Sequence, residues 1–496
     1  MSDTSRQKEL DEALRTSLPG NAFKRLIDQL TRRADVFAGD DGKIYASLDV
    51  DQKHIVTDVE GQEFQDYLYL LADELGLGAS RPAMIGLVPL LRARARRGKT
   101  TQPVFIRSGY ADGVIYFDRV SRTRSIVAIS KDGVQVVETC PVHFTRMPDM
   151  KELPEPNLKG SLNEIRDLLP QLDDINFRKL EAAMLIAANP NGPYPITVVE
   201  GEQDTGKTTA LRLARAVFDP RGNERALRTL ATSGGDLWVQ AHNERFLFFD
   251  NVTCIPPRLE DELCQISTGG AYSGRKYYTN DQQVVLSGRR PIFMTSIGIP
   301  TRRSDLLSRM LTISVSPIPL GGRRSERDIE AQFVRLYSRI FGGFCKALSA
   351  CLRRIRATSV SQSVRMQDAL EWVSGAEQEL GWPSGTFGKL YAQDQSELAA
   401  GVLEEDPLAA AIIKLVQVSG PFRGTATQLL DHLENHRSPS LGWPGRNEVR
   451  NRLLRLAPLL KLRGVAIELQ RTSDRRRDRI IIIRRILRIP PRPSPA

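Results

Sequence analysis

A multidomain α/β fold is what this sequence predicts, on three observations. Ile196 to Glu200 is an apolar, β-branched run, the stretch Gly201-Glu-Gln-Asp-Thr-Gly206-Lys207-Thr208 has the spacing GxxxxGK[ST], and Thr208 to Phe218 is helix-compatible. Further on, Arg245-Phe-Leu-Phe-Phe-Asp250-Asn251 is a second apolar strand, ended by an acid. Beyond Pro407, three helical stretches lead into a β-hairpin whose loop is rich in arginine. Together these predict a phosphate-loop NTPase core, with an α+β domain before it and a winged helix after it.

Length and composition agree with several packed domains. The 496 residues are 41% apolar, ordinary for a chain that buries real cores. Five scattered cysteines form no CxxC pair, which argues against a zinc site and for a reducing compartment. The polar start lacks a signal-like apolar core, and no run approaches the roughly eighteen apolar residues of a membrane span, so a cytoplasmic protein is expected. The net charge of +11 is unevenly placed. Residues 441–496 hold fifteen basic against four acidic residues, which accounts for all of it and marks that end as an electrostatic footprint for nucleic acid.

In order, residues 1–35 read as helix, and Gly39-Asp-Asp-Gly42 turns into the alternating strand Ile44–Leu48. Two amphipathic helices follow, Gly61 to Leu75 and Pro82 to Arg97. Short strands are expected at Val104–Ile106, Val114–Phe117, Ser125–Ile129 and Val134–Val137. Asp49 and Asp51, with Asp118 and His143, raise the possibility of a primase-like metal site, which would need those carboxylates gathered on one sheet. Pro148, Pro154 and Pro156 punctuate an extended linker, and Leu162 to Ala188 reads as helix.

The core's chemistry follows from its residue types. Gly201 and Gly206 let backbone N–H groups wrap a phosphate, with Glu202, Gln203, Asp204 and Thr205 in the loop between them and Thr208 and Thr209 at the helix start. Lys207 reaches the β- and γ-phosphates of ATP, while Thr208 and Asp250 hold Mg²⁺. The segment Leu263 to Thr279 reads as a hairpin with the basic, aromatic tip Arg275, Lys276 and Tyr277, suited to a nucleic-acid backbone and to base stacking. Pro291 to Ser296 is another apolar strand. Glu326 to Ala400 keeps a helical rhythm. The last domain offers Arg446, Arg450 and Arg452 near the start of its third helix, and Arg475, Arg476 and Arg477 in its wing.

The order of phosphate loop, Asp250-Asn251, Thr268-Gly-Gly, Arg290-Pro291 with Thr295, and Asp305-Leu through Arg309 resembles the superfamily III helicases of the AAA+ class. More closely, it resembles the primase-helicase-like ATP-binding proteins of phages and integrated elements, from about residue 40 to 485, with the ATPase core the specific part. The resemblance implies a homo-oligomeric ring, such as a hexamer, with a nucleotide site between subunits and ATP-driven movement on DNA. It also implies Thr295 as sensor 1 and Arg309 as the arginine finger of a neighbouring subunit. Two features depart from the pattern. Asn251 stands where many AAA+ motors have a water-activating Glu, leaving Glu202 as the candidate and Glu260 or Asp261 as substitutes. No primase domain precedes the motor, so priming would fall to a separate primase or polymerase.

The expected domains are an α+β domain over 1–147, a linker and helical segment over 148–190, the AAA+ ATPase core over 191–320 and a helical lid or collar over 321–404. A winged-helix DNA-binding domain over 405–487 and a disordered tail over 488–496 complete the chain. The expected function is an ATP-driven DNA helicase or translocase for replication of a mobile element. Its alternatives are an ATP-dependent origin-binding switch and, behind that, a primase.

Overall fold

The computed structural model describes residues 20–50, 53–77, 81–98, 100–222, 227–275, 283–318, 323–354, 365–434, 443–471 and 479–486. The first module contains α1 (Gly20–Arg33), β1 (Ala34–Ala38), β2 (Ile44–Val50), β3 (Lys53–Asp58), α2 (Gln62–Glu74) and α3 (Arg81–Arg97). Of the helix expected over 1–35, residues 1–19 lie outside the described residues, and the rest gives way to strand at Ala34, because Val36 and Phe37 pair with Ala46 and Tyr45 across an antiparallel sheet. The sequence does not signal β3, which completes that sheet by pairing with β2. One core, with Leu26, Leu30, Leu48, Phe64, Leu68 and Leu87, holds sheet and helices together.

Next come β4 (Val104–Ile106), β5 (Ser108–Ala111), β6 (Val114–Asp118), β7 (Ile126–Ser130), β8 (Gly133–Val137) and β9 (His143–Thr145). The strands β5 to β8 form an antiparallel meander, and β4 pairs with β9 in parallel. The boundary expected at residue 147 does not mark a break in packing. Ile115, Phe117, Val127 and Ile129 of the meander share a core with Phe341, Phe344 and the central sheet, and Phe117 packs edge-on against Phe344 at 6.1 Å. In the segment 148–190, expected as a linker and helix, the helix expected over Leu162–Ala188 is divided in two. After a 3-10 turn (Leu162–Leu168), α4 (Asp174–Ala187) is capped by Asp173, which accepts from Asn176 N at 2.7 Å, and buries Leu180, Met184 and Leu185 in that same core.

The central body follows as β10 (Ile196–Glu200), α5 (Lys207–Phe218), α6 (Gly234–Asn243), β11 (Leu247–Phe249), α7 (Pro257–Thr268), β12 (Gly270–Arg275), β13 (Gln283–Gly288), β14 (Ile292–Ser296), α8 (Ser304–Leu307) and β15 (Met310–Ser314). Four strands make a parallel sheet in the order β11-β14-β10-β15. Successive side chains alternate between its faces, so Phe293 joins one core while Ile292 and Met294 join the other. The hairpin expected from Leu263 starts later, since α7 runs to Thr268; the antiparallel pair β12–β13 begins at Gly270.

The first face of the sheet is covered by α4, α5 and the long helix α9 (Glu326–Arg354), with α10 (Gln367–Ser374) beside them. The second face is covered by α6 and α7, and there α11 (Thr386–Glu405) hands the core on to the C-terminal module. That module has α12 (Pro407–Val418), β16 (Phe422–Gly424), α13 (Ala426–Leu433), α14 (Val449–Leu462), β17 (Val465–Arg471) and β18 (Arg479–Arg485), with the three strands in the order β16-β18-β17. Its core is not separate: Ile412, Leu433, Leu453, Leu460 and Ile483 belong to the cluster that contains Trp238 and Met294 of the central body. The tail expected from residue 488 lies outside the described residues.

At the end of α5 sits a closed ionic cluster. Asp219 accepts from Arg107 Nε at 3.1 Å, Arg215 Nη2 at 3.0 Å and Arg221 Nε at 3.1 Å, and Arg215 also reaches Glu244 at 3.1 Å. Burial alone would raise the Asp219 carboxyl; the guanidiniums of Arg215, Arg221 and Arg107 outweigh it and hold it below the ordinary carboxylate range. The cluster ties the meander to the helix that starts at Lys207.

Candidate functional site

The C-terminal ends of the parallel strands gather the polar residues that the sequence singles out. The β-branched β10 delivers the chain to Gly201, and α5 begins at Lys207 after Gly206, whose φ of 80° is left-handed. Close approach also requires glycine at position 201, where a Cβ would lie 2.6 Å from Val315 Cγ2 and 2.7 Å from Val315 O. Lys207 Nζ donates to Gly201 O at 2.8 Å and to Glu202 O, so its ammonium closes over the loop's own carbonyls.

Thr208 Oγ1 donates to Asp250 Oδ1 at 3.1 Å. Asp250 is set at the end of β11, and it is held from the other side by Thr295, whose hydroxyl donates to Oδ1 at 2.5 Å. Asn251 N donates to Thr295 Oγ1 at 2.8 Å and to Asp250 Oδ1 at 3.1 Å, and Asn251 takes a left-handed φ of 55° to do so. The strand carrying Thr295 lies between the other two, so all three side chains meet where β10, β14 and β11 end. Thr295 itself is buried and spends its hydroxyl on Asp250 and Asn251. These two bonds hold Asp250 and the Asn251 backbone together.

Of the other acids considered for activating water, Glu260 and Asp261 are engaged with other partners. Glu202 is exposed and meets the loop through its carbonyl, which accepts from Thr205 Oγ1 at 2.8 Å. Glu260 accepts from Thr301 Oγ1, and Asp261 pairs with Arg303. Arg309 is turned back onto its own chain: Nη1 lies 2.5 Å from Asp305 Oδ1, and its Nε is buried without a partner among the described residues. A role across a subunit boundary requires that pair to open.

A cavity of about 420 Å³ opens beside the loop, lined by Asp204 to Thr209 on one side and by Leu168, Pro170, Gln171, Ile318, Arg323 and Arg324 opposite. Sequence reasoning misses the whole of that opposite wall. It comes from segments far from the loop in the chain, and no local motif marks them.

The basic residues separate into several groups. Arg446 is exposed and Arg450 half-buried ahead of or within the first turn of α14, but Arg452 is committed to Asp406, the N-cap of α12, at 3.0 Å. Arg455 and Lys461, exposed further along α14, are additions that the structure supplies. Arg275 ends β12, whereas Lys276, Tyr277, Arg475, Arg476 and Arg477 lie outside the described residues. The primase-like set is not assembled. Asp118 is buried under Arg146 at 2.6 Å and Asp49 belongs to a different sheet, His143 bonds Gln102 at 2.6 Å, and Asp51 lies outside the described residues. Among the described residues no group of three His, Cys, Asp or Glu side chains could hold a metal ion, and no helix is long and apolar enough to cross a membrane.

With a parallel sheet, a glycine loop and a Thr–Asp pair at its strand ends, and a basic C-terminal module, the chain is similar to replication proteins of mobile elements. Residues 169–377 match the family described as the actinomycete integrative conjugative element replication protein, and residues 408–494 match the AICE RepA C-terminal domain. No curated protein matches significantly. Among solved structures, the apo C-terminal region of NrS-1 aligns at 11% identity over 94% of this chain and 98% of that one, with a TM-score of 0.40. A small-molecule complex of JCV helicase aligns at 15% identity over 47% of this chain and 63% of that one, with a TM-score of 0.24.

Proposed function

We propose that the chain is a Mg²⁺-dependent ATPase that drives movement on DNA during replication of an integrative conjugative element. The observation that carries this is the meeting of Thr208, Asp250 and Thr295 beside Lys207 and the glycine loop. In this reading the loop Gly201 to Thr209 binds the ATP phosphates through backbone N–H groups at the start of α5, with Gln203 and Asp204 on its crest. The Lys207 ammonium, now on carbonyls that stand in for phosphate oxygens, transfers to the β- and γ-phosphates.

The donor set fits Mg²⁺: a hydroxyl and a carboxylate already converge, and both are hard oxygen ligands. When bound there, Mg²⁺ neutralises charge on the phosphoryl oxygens. Thr295 keeps Asp250 aimed, and Asn251, anchored through its backbone, presents its exposed side chain next to it. The nucleotide's base and sugar extend into the cavity between Leu168 and Ile318, close to Arg323 and Arg324.

DNA contacts fall to Arg446, Arg450, Arg455 and Lys461 of a winged-helix module and to the β12–β13 hairpin, and a homo-oligomeric ring completes the motor. A switch that grips an origin in response to ATP is the second reading, and the core shared between central body and C-terminal module favours it, because a change at the sheet can reach α14 without a flexible joint. Strand displacement on a forked duplex distinguishes the two. The motor predicts displacement that needs both ATP and Mg²⁺; ATP-dependent binding to the fork without displacement under any salt condition would select the switch.

A further inference from the structure

Both glycines of the loop are gripped from outside it, and the two grips are joined. Val315, the residue after β15, packs against Gly201, while Gln171 Nε2 donates to Gly206 O at 3.1 Å. Ser316 N in turn donates to Gln171 O at 3.0 Å, and Val315 N to Glu200 O at 2.8 Å. The contacts form a closed strap running from Gly201 through Val315, Ser316 and Gln171 to Gly206. A Cβ on Gly206 would stand 3.2 Å from Gln171 Nε2, so the amide lies directly against the loop.

Gln171 is 3% exposed, and its Oε1 is buried with no partner among the described residues. A bare buried acceptor costs stability, and an apolar side chain of the same shape would avoid that cost. The amide is nevertheless placed where its one bond joins that of Ala210 N, at 2.9 Å, on the loop carbonyl that precedes Lys207, so this carbonyl is tied to Gln171 as well as to α5. Beyond Ser316 the same strap runs on to Ile318, and Arg323, Arg324 and Glu326 complete the cavity wall, with Glu326 paired to Arg212 of α5 at 3.1 Å.

We propose that Gln171 is a positioning residue for the phosphate loop, holding it open in its phosphate-ready shape before nucleotide arrives. The inference rests on reading that loop as a nucleoside triphosphate site. A loop that must order itself on binding loses affinity, and one backbone hydrogen bond of this kind is worth up to about tenfold in a binding constant. Gln171 touches no reacting atom, so its loss acts on nucleotide affinity and KM rather than on kcat.

The test is Mg-ADP binding by calorimetry, with ATP turnover alongside, on the full chain and on Gln171→Leu and Gln171→Glu. For Gln171→Leu the expected result is a Kd and a KM raised by about twofold to tenfold, kcat nearly unchanged, and a nucleotide-free melting temperature equal to or above the parent's. A purely structural amide would give the opposite pair, a lower melting temperature with unchanged affinity. Gln171→Glu keeps the shape but sets a carboxylate against Gly206 O. Its Kd relative to the parent should be raised at pH 8 and recover as the pH falls, because the protonated carboxyl regains a donor for that carbonyl. This second variant decides the matter if the leucine protein does not fold. Parental affinity in both variants, or a Gln171→Glu ratio that ignores pH, would overturn the inference alone. A parent that binds no Mg-ADP would overturn the nucleotide reading and the inference with it.

Discussion

The two ends of α5 use the same chemistry to opposite effect. At its start, Lys207, Thr208 and Asp250 are polar groups at accessible strand ends, bonded to partners that a ligand can replace. At its end, Arg215 and Asp219 are fully buried and bond to each other and to further charged groups of the chain. Buried charge paired within the chain describes architecture, whereas polar groups gathered at accessible strand ends describe a site. The difference teaches that charge density alone does not locate function in this molecule; replaceability of the partners does.

Breaking each end separately should give different phenotypes. Asp250→Asn is the largest expected effect: it removes a proposed metal ligand and loosens both threonines, and phosphate release from ATP should fall by at least about a hundredfold while the melting temperature stays near the parent's. Asp219→Ala should do the reverse, costing about 3–5 kcal/mol in a denaturant titration because it strands buried guanidiniums, with turnover per folded molecule retained. Acid sharpens the same contrast. Since Asp219 titrates below its unfolded value of about 3.9, its contribution is present above that pH and is lost as the pH falls through the lower, folded value. The acid limb of a stability–pH profile should therefore flatten in Asp219→Ala. A parallel-shifted limb would show that the cluster is not what acid attacks.

A smaller effect is expected at Thr295, which stands between site and scaffold. Thr295→Val keeps the buried shape but frees Asp250, so kcat should fall about tenfold to a hundredfold with KM little changed, and Thr295→Ser should restore most of it. Equal losses in the valine and serine variants would mean that the methyl group, not the hydroxyl, matters.

What can be read from the sequence divides along the same line. The loop, Lys207 and Thr208 are a local pattern, and Asp250 is visible as an acid closing an apolar strand. The partners that set them are remote: Thr295 lies 45 residues from Asp250, Gln171 lies 35 from Gly206, and Arg107 lies 112 from Asp219. Periodicity reveals that the strand Val114–Asp118 has an apolar face but not which core receives it, so a boundary at residue 147 looks natural in the sequence and cuts through a shared core in the fold. Arginine poses the same difficulty. Arg452 carries the composition of a DNA contact, and only the fold shows that Asp406, 46 residues away, has already taken it. The Asp305–Arg309 pair is close in sequence, but Arg309 lies past the end of α8, and only the fold shows it turned back onto Asp305.

The central claim is that the site near Lys207 hydrolyses ATP. Its most direct measurement is phosphate release by the purified chain with ATP, with and without Mg²⁺, beside Lys207→Ala at matched melting temperature. The account predicts turnover in the parent that requires Mg²⁺ and is abolished in Lys207→Ala. Turnover that persists undiminished in the folded alanine variant would contradict it.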